Sequence, residues 1–238
     1  MPQTATQSTT PQRRDDVDKV IAHLEEDIIF GRLAPGLRLT EDMLMARYDA
    51  SRHFVRQSLV EMERRGIVRR EKNIGATVRS YSQSEVRQIY EVREMLTRHA
   101  ALMVTLPAPE SLIRELRRLQ QVYRARAEVG DLRGTHDAND AFHIALFAAC
   151  GNPYLVETLQ DYMDLTLTMR AKNLADPEGL RLSISQHELM IDLLQGRDVW
   201  AFAQLCVDHM QSSKADYLRR IAAENDDEGE RIQHLQNG

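Results

Sequence analysis

Cysteine is nearly absent from this sequence. There are two in 238 residues, Cys150 and Cys206, each inside an apolar helical pattern and without the spacing of a metal-binding pair. That excludes a disulfide-stapled scaffold and a thiolate metal site, and leaves two buried thiols in a cytoplasmic protein as the expectation. Long apolar runs are missing too: none approaches the roughly 18 residues that a membrane-spanning helix needs. The opening residues, Met1 to Pro11, are polar and rich in Thr and Gln, which is unlike a secretory signal; residues 1–14 read as a disordered arm. Nor is there an excess of positive charge, since 31 Lys and Arg face 36 Asp and Glu for a net of −5. What remains is ordinary globular material, 42% hydrophobic and 28% charged, long enough for one large or two modest cores.

The basic charge that is present lies in one place. From Ala50 to Ser80 there are eight Lys or Arg against three Asp or Glu, while residues 81–238 carry 17 basic and 24 acidic residues. An acidic chain with one basic segment confines its affinity for polyanions to that segment. The local pattern there is specific. Thr40 is an N-cap, with Glu41 and Asp42 in the first turn where acids suit the helix dipole. Leu44 and Met45 anchor that helix, which ends near Tyr48-Asp49-Ala50. Ser51 caps a second helix in which Val55, Leu59 and Met62 form one apolar stripe, and Gly66 stops it. Beside the stripe, at the helix start, lie Arg52, His53 and Arg56, where a recognition helix presents side chains to base edges. An arginine fork can donate twice to guanine or reach a phosphate. Two short alternating runs, Ile67 to Arg70 and Ala76 to Arg79, flank Glu71-Lys72-Asn73-Ile74-Gly75 and read as a hairpin wing. Arg69, Arg70, Lys72 and Arg79 of this wing can meet phosphates; Ser51 and Gly75 complete the candidate DNA-facing set.

These residues resemble the GntR family of bacterial transcription regulators over about Val17 to Val78. The carriers are Ile28-Ile29-Phe30-Gly31-Arg32-Leu33-Ala34-Pro35-Gly36-Leu37-Arg38-Leu39, then Ser51-Arg52 with Val55-Arg56, Gly66 and the wing Gly75. Met45 and Tyr48-Asp49-Ala50 depart from the small and glycine-containing residues more usual in the family's turn. The resemblance implies DNA contact by Arg52 and Arg56, and short palindromic operators bound by a homodimer with one half-site per subunit.

After Ser80 strands give way to helical periods, and the expectation is an antiparallel six-helix bundle over 81–223 following a winged helix-turn-helix over 15–80. The helices are expected over Ser84–Leu106, Glu110–Val129, Leu132–Ala149, Tyr154–Leu174, Glu178–Leu194 and Val199–Ala222. Breaks fall at Pro107-Ala108-Pro109, Gly130-Asp131, Gly151-Asn152-Pro153, Asp176-Pro177 and Gly196-Arg197-Asp198. Residues 224–238 are acidic, lack an apolar stripe and read as a flexible tail.

Polar intruders mark three of these stripes. Asn139, His143, Leu146 and Cys150 share a face of the third helix; Leu180, Ile184, His187, Ile191 and Leu194 share one of the fifth; Phe202, Cys206, His209 and Ser213 share one of the sixth. A single histidine on such a face is usually a hydrogen-bonded core residue. Three from three helices point elsewhere, because unpartnered burial costs several kcal/mol and a divalent metal uses one nitrogen of each. Asn139, four residues before His143, can add an oxygen. Arg93 interrupts Val86, Ile89, Leu96 and Ala100 on the first helix, either pairing with a structural acid or awaiting an anionic ligand. Arg170 is read as leaning inward too, but its stripe (Leu159, Thr166) is mixed and it is not relied on.

This second region is similar to the helical ligand-sensing domain of the FadR-type branch of the family. The carriers are Asn139-Asp140-Ala141-Phe142-His143, Gly151-Asn152, His187, Gly196-Arg197-Asp198 and His209. The resemblance implies a divalent metal, zinc or nickel, on His143, His187 and His209, with Asn139 where the pattern prefers aspartate. It also implies that Arg93 faces an effector pocket. Asp140 is rotated by about 100° from Asn139 around the helix. The functional expectation is therefore a ligand-responsive repressor, not an enzyme, that binds double-stranded DNA and senses a small carboxylate, with no role at a membrane. Two alternatives stay open. One is a metal-dependent hydrolase or lyase fused to a DNA-binding segment, for which the general base is missing because Glu188 turns away from the His187 face. The other is a helical unit that only dimerises and holds no metal.

Overall fold

The computed structural model describes residues 11–71 and 75–236. Its contacts divide the chain into two units, Met1–Ser80 and Tyr81–Gly238.

In the first unit α1 (Pro11–Ile29) begins inside the segment expected as an arm, whose residues 1–10 lie outside the described residues. Next come β1 (Arg38–Leu39), α2 (Glu41–Tyr48), α3 (Arg52–Arg64), β2 (Val68–Glu71) and β3 (Gly75–Val78). The Thr40 hydroxyl accepts from the Met43 N–H and the Ser51 hydroxyl from that of Phe54, so both helices start where their caps predict. The turn between them closes without glycine. Asp49 takes φ 47°, a left-handed position that a short polar side chain tolerates, and the Ala50 N–H reaches the Met45 carbonyl. Leu24, Leu44, Val55, Leu59 and Met62 are buried between α1, α2 and α3; each such side chain contributes about 1.5–3 kcal/mol of burial. Asp27, itself buried, ties α1 to α2 by accepting from Arg32, Arg47 and the Tyr48 hydroxyl.

The wing is a three-stranded antiparallel sheet in the order β1-β3-β2, one strand more than the sequence reading expected. Arg38 pairs with Thr77 and Leu39 with Ala76, which joins the wing to the segment before α2. Two residues are too short to register as a periodic run. Gly75 opens β3 at φ 108°, and a Cβ there would meet the Leu39 carbonyl oxygen at 3.3 Å, so backbone geometry alone demands glycine.

In the second unit the elements are α4 (Gln83–Leu102), α5 (Glu110–Glu128), α6 (Leu132–Ala148), α7 (Pro153–Leu165), α8 (Leu167–Ala175), α9 (Pro177–Gln195) and α10 (Val199–Gln236). α5 packs on α6 and α9, and α10 on α4, α8 and α9. The main core gathers Ile113, Leu116, Phe142, Leu146, Leu159, Leu194 and Phe202. Three helix limits differ from expectation by more than one residue, the first being α4, which stops at Leu102 instead of Leu106. The helix expected over Tyr154–Leu174 breaks at Thr166, giving seven helical segments instead of six. The Thr166 hydroxyl lies 2.9 Å from the Tyr162 carbonyl oxygen and 3.2 Å from that of Met163, bonds that compete with the backbone ladder. The last helix continues beyond Ala222 to Gln236, through most of the expected tail; no proline interrupts that stretch, and Glu, Arg, Gln and Leu favour helix.

Candidate functional site

The winged unit presents the start of α3 outward. The Arg52 and Arg56 side chains are 53% and 60% exposed, and both are held by acids at the start of α2. Arg52 Nη2 lies 2.6 Å from Asp42 Oδ1, and Arg56 Nε lies 2.7 Å from Glu41 Oε1. The hydrogen bond from Arg56, aided by the charges of Arg56, Arg52 and Arg70, holds the Glu41 carboxyl below its ordinary range against the opposing effect of burial. Ser51 and His53 are exposed beside them, with the His53 ring 5.8 Å from that of Phe54. On the wing Arg69 is exposed, and Arg70 lies 3.6 Å from Glu63. Lys72 lies outside the described residues. Such exposed ion pairs hold side chains in place for only about 0–1 kcal/mol, so phosphates and base edges can replace the acids.

The helical unit brings the three expected histidines together. His143 from α6, His187 from α9 and His209 from α10 turn their Nε2 atoms to one point: 3.1 Å separates His143 from His209, and 3.3 Å separates His187 from His143. The opposite nitrogens of two rings are anchored. His187 Nδ1 meets Gln120 Oε1 at 3.0 Å, and His209 Nδ1 meets Gln186 Oε1 at 2.8 Å. Gln120 Nε2 donates to the Ile184 carbonyl, which fixes that amide with its oxygen toward His187. His187 Nδ1 therefore carries the proton, and its Nε2 faces the cluster as a lone pair.

This donor set fits a divalent metal. Two nitrogens about 2.0–2.1 Å from a tetrahedral ion stand about 3.3 Å apart, close to the spacing observed. Without a cation, lone pairs face one another with few protons to separate them. Burial, reinforced by neighbouring charge, holds His143 and His187 well below the ordinary imidazole range and His209 at about 3, so all three are in the neutral form that metals bind. Outer partners of this kind orient ligating imidazoles.

Asn139 is buried and lines the same cavity as His143 and His209, with its amide nitrogen 3.2 Å from Asp140 Oδ1. Asp140 is not part of the histidine cluster. It forms a two-pronged ion pair with Arg170, Nη1 to Oδ1 and Nη2 to Oδ2. Burial pushes the Asp140 carboxyl up, but the charges of Arg170 and His136 and the hydrogen bonds from Arg170 and Asn139 together outweigh this and hold it at about 2. Glu188 sits on the surface, 2.6 Å from Arg124, and is no base for the cluster.

Arg93 is 7% exposed and enters the cavity lined by Asn139, His143, Arg170 and His209, with a volume of about 330 Å³ including its open mouth. Its Nη1 donates to Thr166 Oγ1 at 3.0 Å and its guanidinium lies 5.6 Å from the Tyr90 ring centre, yet its buried Nε has no acceptor. No carboxylate pairs with it among the described residues. Burial lowers its pKa to about 10, which leaves it charged at neutral pH.

Sequence reading missed Gln120, Gln186 and the role of Arg170. Gln120 was legible as a polar intruder in the apolar face of Ile113, Leu116 and Tyr123. Arg170 was not. It docks on the Met163 carbonyl exposed by the break at Thr166, and that break carries no glycine or proline.

Comparison with known proteins decides the family. Residues 17–78 match the family described as bacterial regulatory proteins, gntR family, and residues 88–212 match the FCD domain. The chain belongs to the GntR family. Among similar GntR regulators is the HTH-type transcriptional repressor RspR of Escherichia coli (strain K12), 28% identical over 211 residues, 86% of this chain and 89% of the repressor. The gluconate operon transcriptional repressor of Bacillus subtilis (strain 168) is 23% identical over 185 residues, 76% of each chain. Among solved structures, E. coli McbR/YncC superposes with a TM-score of 0.70 at 20% identity, covering 87% of this chain and 98% of that one. A putative GntR regulator from Rhodococcus sp. RHA1 gives a TM-score of 0.61 at 20% identity, covering 88% and 98%. The fold is thus that of GntR regulators, a DNA-binding winged helix followed by a helical domain, and the relatives are regulators of transcription, not enzymes. No helix among the described residues is long and apolar enough to cross a membrane.

Proposed function

We propose that the protein is a transcription repressor whose homodimer binds a palindromic operator and whose helical unit senses a small carboxylate through a bound divalent metal. The observation that carries this reading is a convergent cluster of three neutral imidazoles, two of which, His143 and His209, line one cavity with a buried arginine that has no carboxylate. His143, His187 and His209 would hold zinc or nickel, with Asn139 as a weak oxygen donor. The metal would supply a Lewis-acidic point for one carboxylate oxygen, and Arg93 a fork for another. Arg52, His53 and Arg56 would read base edges from α3, while Ser51, Arg69, Lys72 and Gly75 would position the backbone. The RspR and gluconate operon relatives are repressors. Effector binding would alter the half-site geometry offered by the dimer, a coupling of about 1–3 kcal/mol that changes operator affinity about 5- to 150-fold.

Metal analysis after native purification, paired with a mobility-shift titration, tests this. Stoichiometric metal is expected, and its removal by a chelator should abolish any response of operator binding to added acids. Absence of metal, together with unchanged thermal stability on adding zinc, nickel or manganese, would remove the metal from the reading and leave a helical unit that only dimerises.

A further inference from the structure

The recognition arginines are already matched by acids of the same unit. Glu41 Oε1 lies 2.7 Å from Arg56 Nε, and the other oxygen of that carboxylate lies 3.7 Å from Arg52 Nε. Asp42 meets Arg52 Nη2 at 2.6 Å. Two guanidinium groups and two carboxylates therefore sum to zero at the start of α3. The first turn of α3 holds no acid of its own; both carboxylates come from the first turn of α2. A helix dipole favours acids there, but it does not require two arginines one helical turn apart to converge on one of them.

The atoms engaged decide what the contact does. Glu41 takes Arg56 by Nε, on the side of the guanidinium, and among the described residues no acceptor meets its Nη1 or Nη2. That end-on pair of nitrogens can donate in parallel to guanine N7 and O6. A neutral base edge can thus bind Arg56 with Glu41 in place, whereas a phosphate would bring a like charge beside the Glu41 carboxylate. Glu41 has little room to withdraw. Its side chain is 32% exposed, against 82% for Asp42.

We infer that Glu41, and to a lesser degree Asp42, sets the sequence specificity of this protein by shielding Arg52 and Arg56 from phosphates while leaving Arg56 open to a base. The inference rests on the placement of these arginines on DNA given above. Affinity for arbitrary DNA comes almost wholly from neutralised phosphates, so the acids weaken it more than they weaken operator binding. Specificity is the difference between the two affinities, and a repulsive element aimed at the unwanted one enlarges it.

The test measures binding of the full chain to two duplexes across a salt series. One has arbitrary sequence, and the other is enriched by the wild-type protein from a randomised pool. Glu41→Gln should bind the arbitrary duplex about 5- to 10-fold more tightly at about 0.1 M salt, with a salt slope steeper by about 1. On the enriched duplex it should change little, so the preference between the two shrinks. Asp42→Asn should do the same more weakly. Adding Arg56→Ala to Glu41→Gln should remove most of the gain. Glu115→Gln, which frees Arg118 in the other unit and changes net charge equally, should leave the arbitrary duplex unaffected.

If Glu41→Gln bound the arbitrary duplex no tighter, or lost affinity for both duplexes, Glu41 would serve only the helix start and the inference would fail. An equal gain in Glu115→Gln would assign the effect to net charge and would also overturn it. Either result leaves the placement of α3 on DNA intact. Enrichment of the same duplex by Arg52→Ala and Arg56→Ala at wild-type affinity would overturn both.

Discussion

The two units treat arginine in opposite ways. In the winged unit Arg52 and Arg56 are more than half exposed and rest on Asp42 and Glu41 through contacts that water and salt can replace. In the helical unit Arg170 is buried on Asp140, and Arg93 is buried with no carboxylate at all. An exposed pair is cheap to exchange for a phosphate, which suits a reversible DNA contact. A buried guanidinium is costly to leave unpaired, which suits a site completed by a ligand.

The contrast is sharpest in stability. Arg170→Ala would leave the Asp140 carboxylate, whose side chain is 22% exposed, without its main cation and should cost about 1–3 kcal/mol in urea unfolding, with partial recovery in the Arg170→Ala, Asp140→Ala double variant. A loss below that of an ordinary surface change would show the pair to be solvated. The same pair predicts a smaller acid limb. Because the folded-state pKa of Asp140 is depressed to about 2 from 3.8, its contribution is fully present above the ordinary carboxylate range and is lost as pH falls through that range toward 2. In Asp140→Asn that part of the acid-unfolding curve should flatten.

For the exposed arginines the expectation reverses. Arg52→Ala and Arg56→Ala should leave unfolding nearly unchanged and weaken operator binding by about 1–3 kcal/mol each, roughly 5- to 150-fold. Operator affinity should also fall steeply with added salt, and less steeply in the variants. Normal mobility shifts in both variants would contradict the placement of α3 on DNA. The smallest effect belongs to a cap: Thr40→Ala should cost about 1 kcal/mol, read as a lower melting temperature of the winged unit.

Local signals carried much of this protein. Caps at Thr40 and Ser51 and the Val55, Leu59, Met62 stripe were legible because each depends on residues within a few positions of each other. β1 escaped because a two-residue strand has no period to read. The break at Thr166 escaped because the hydroxyl that makes it bonds to carbonyls which an intact helix would also contain. Among the site residues, His143, His187 and His209 were legible as polar intruders on three separate stripes. Their meeting was an inference from cost, and the structure supplies the distance. Asp140 could be set aside by helix rotation, but its partner on another helix had no counterpart in the chain's local pattern.

By itself the sequence determined which faces are apolar, where helices start, that basic charge gathers in residues 50–80, and that three imidazoles and one arginine occupy interior faces. These follow from spacing and from the chemistry of single side chains. Only the tertiary structure decided that α6, α9 and α10 bring their imidazole nitrogens within bonding range of one ion, that Gln120 orients His187, and that Arg93 reaches that cavity without a carboxylate. Those are long-range pairings, set by how helices pack and where one of them breaks, and no repeat along the chain encodes them.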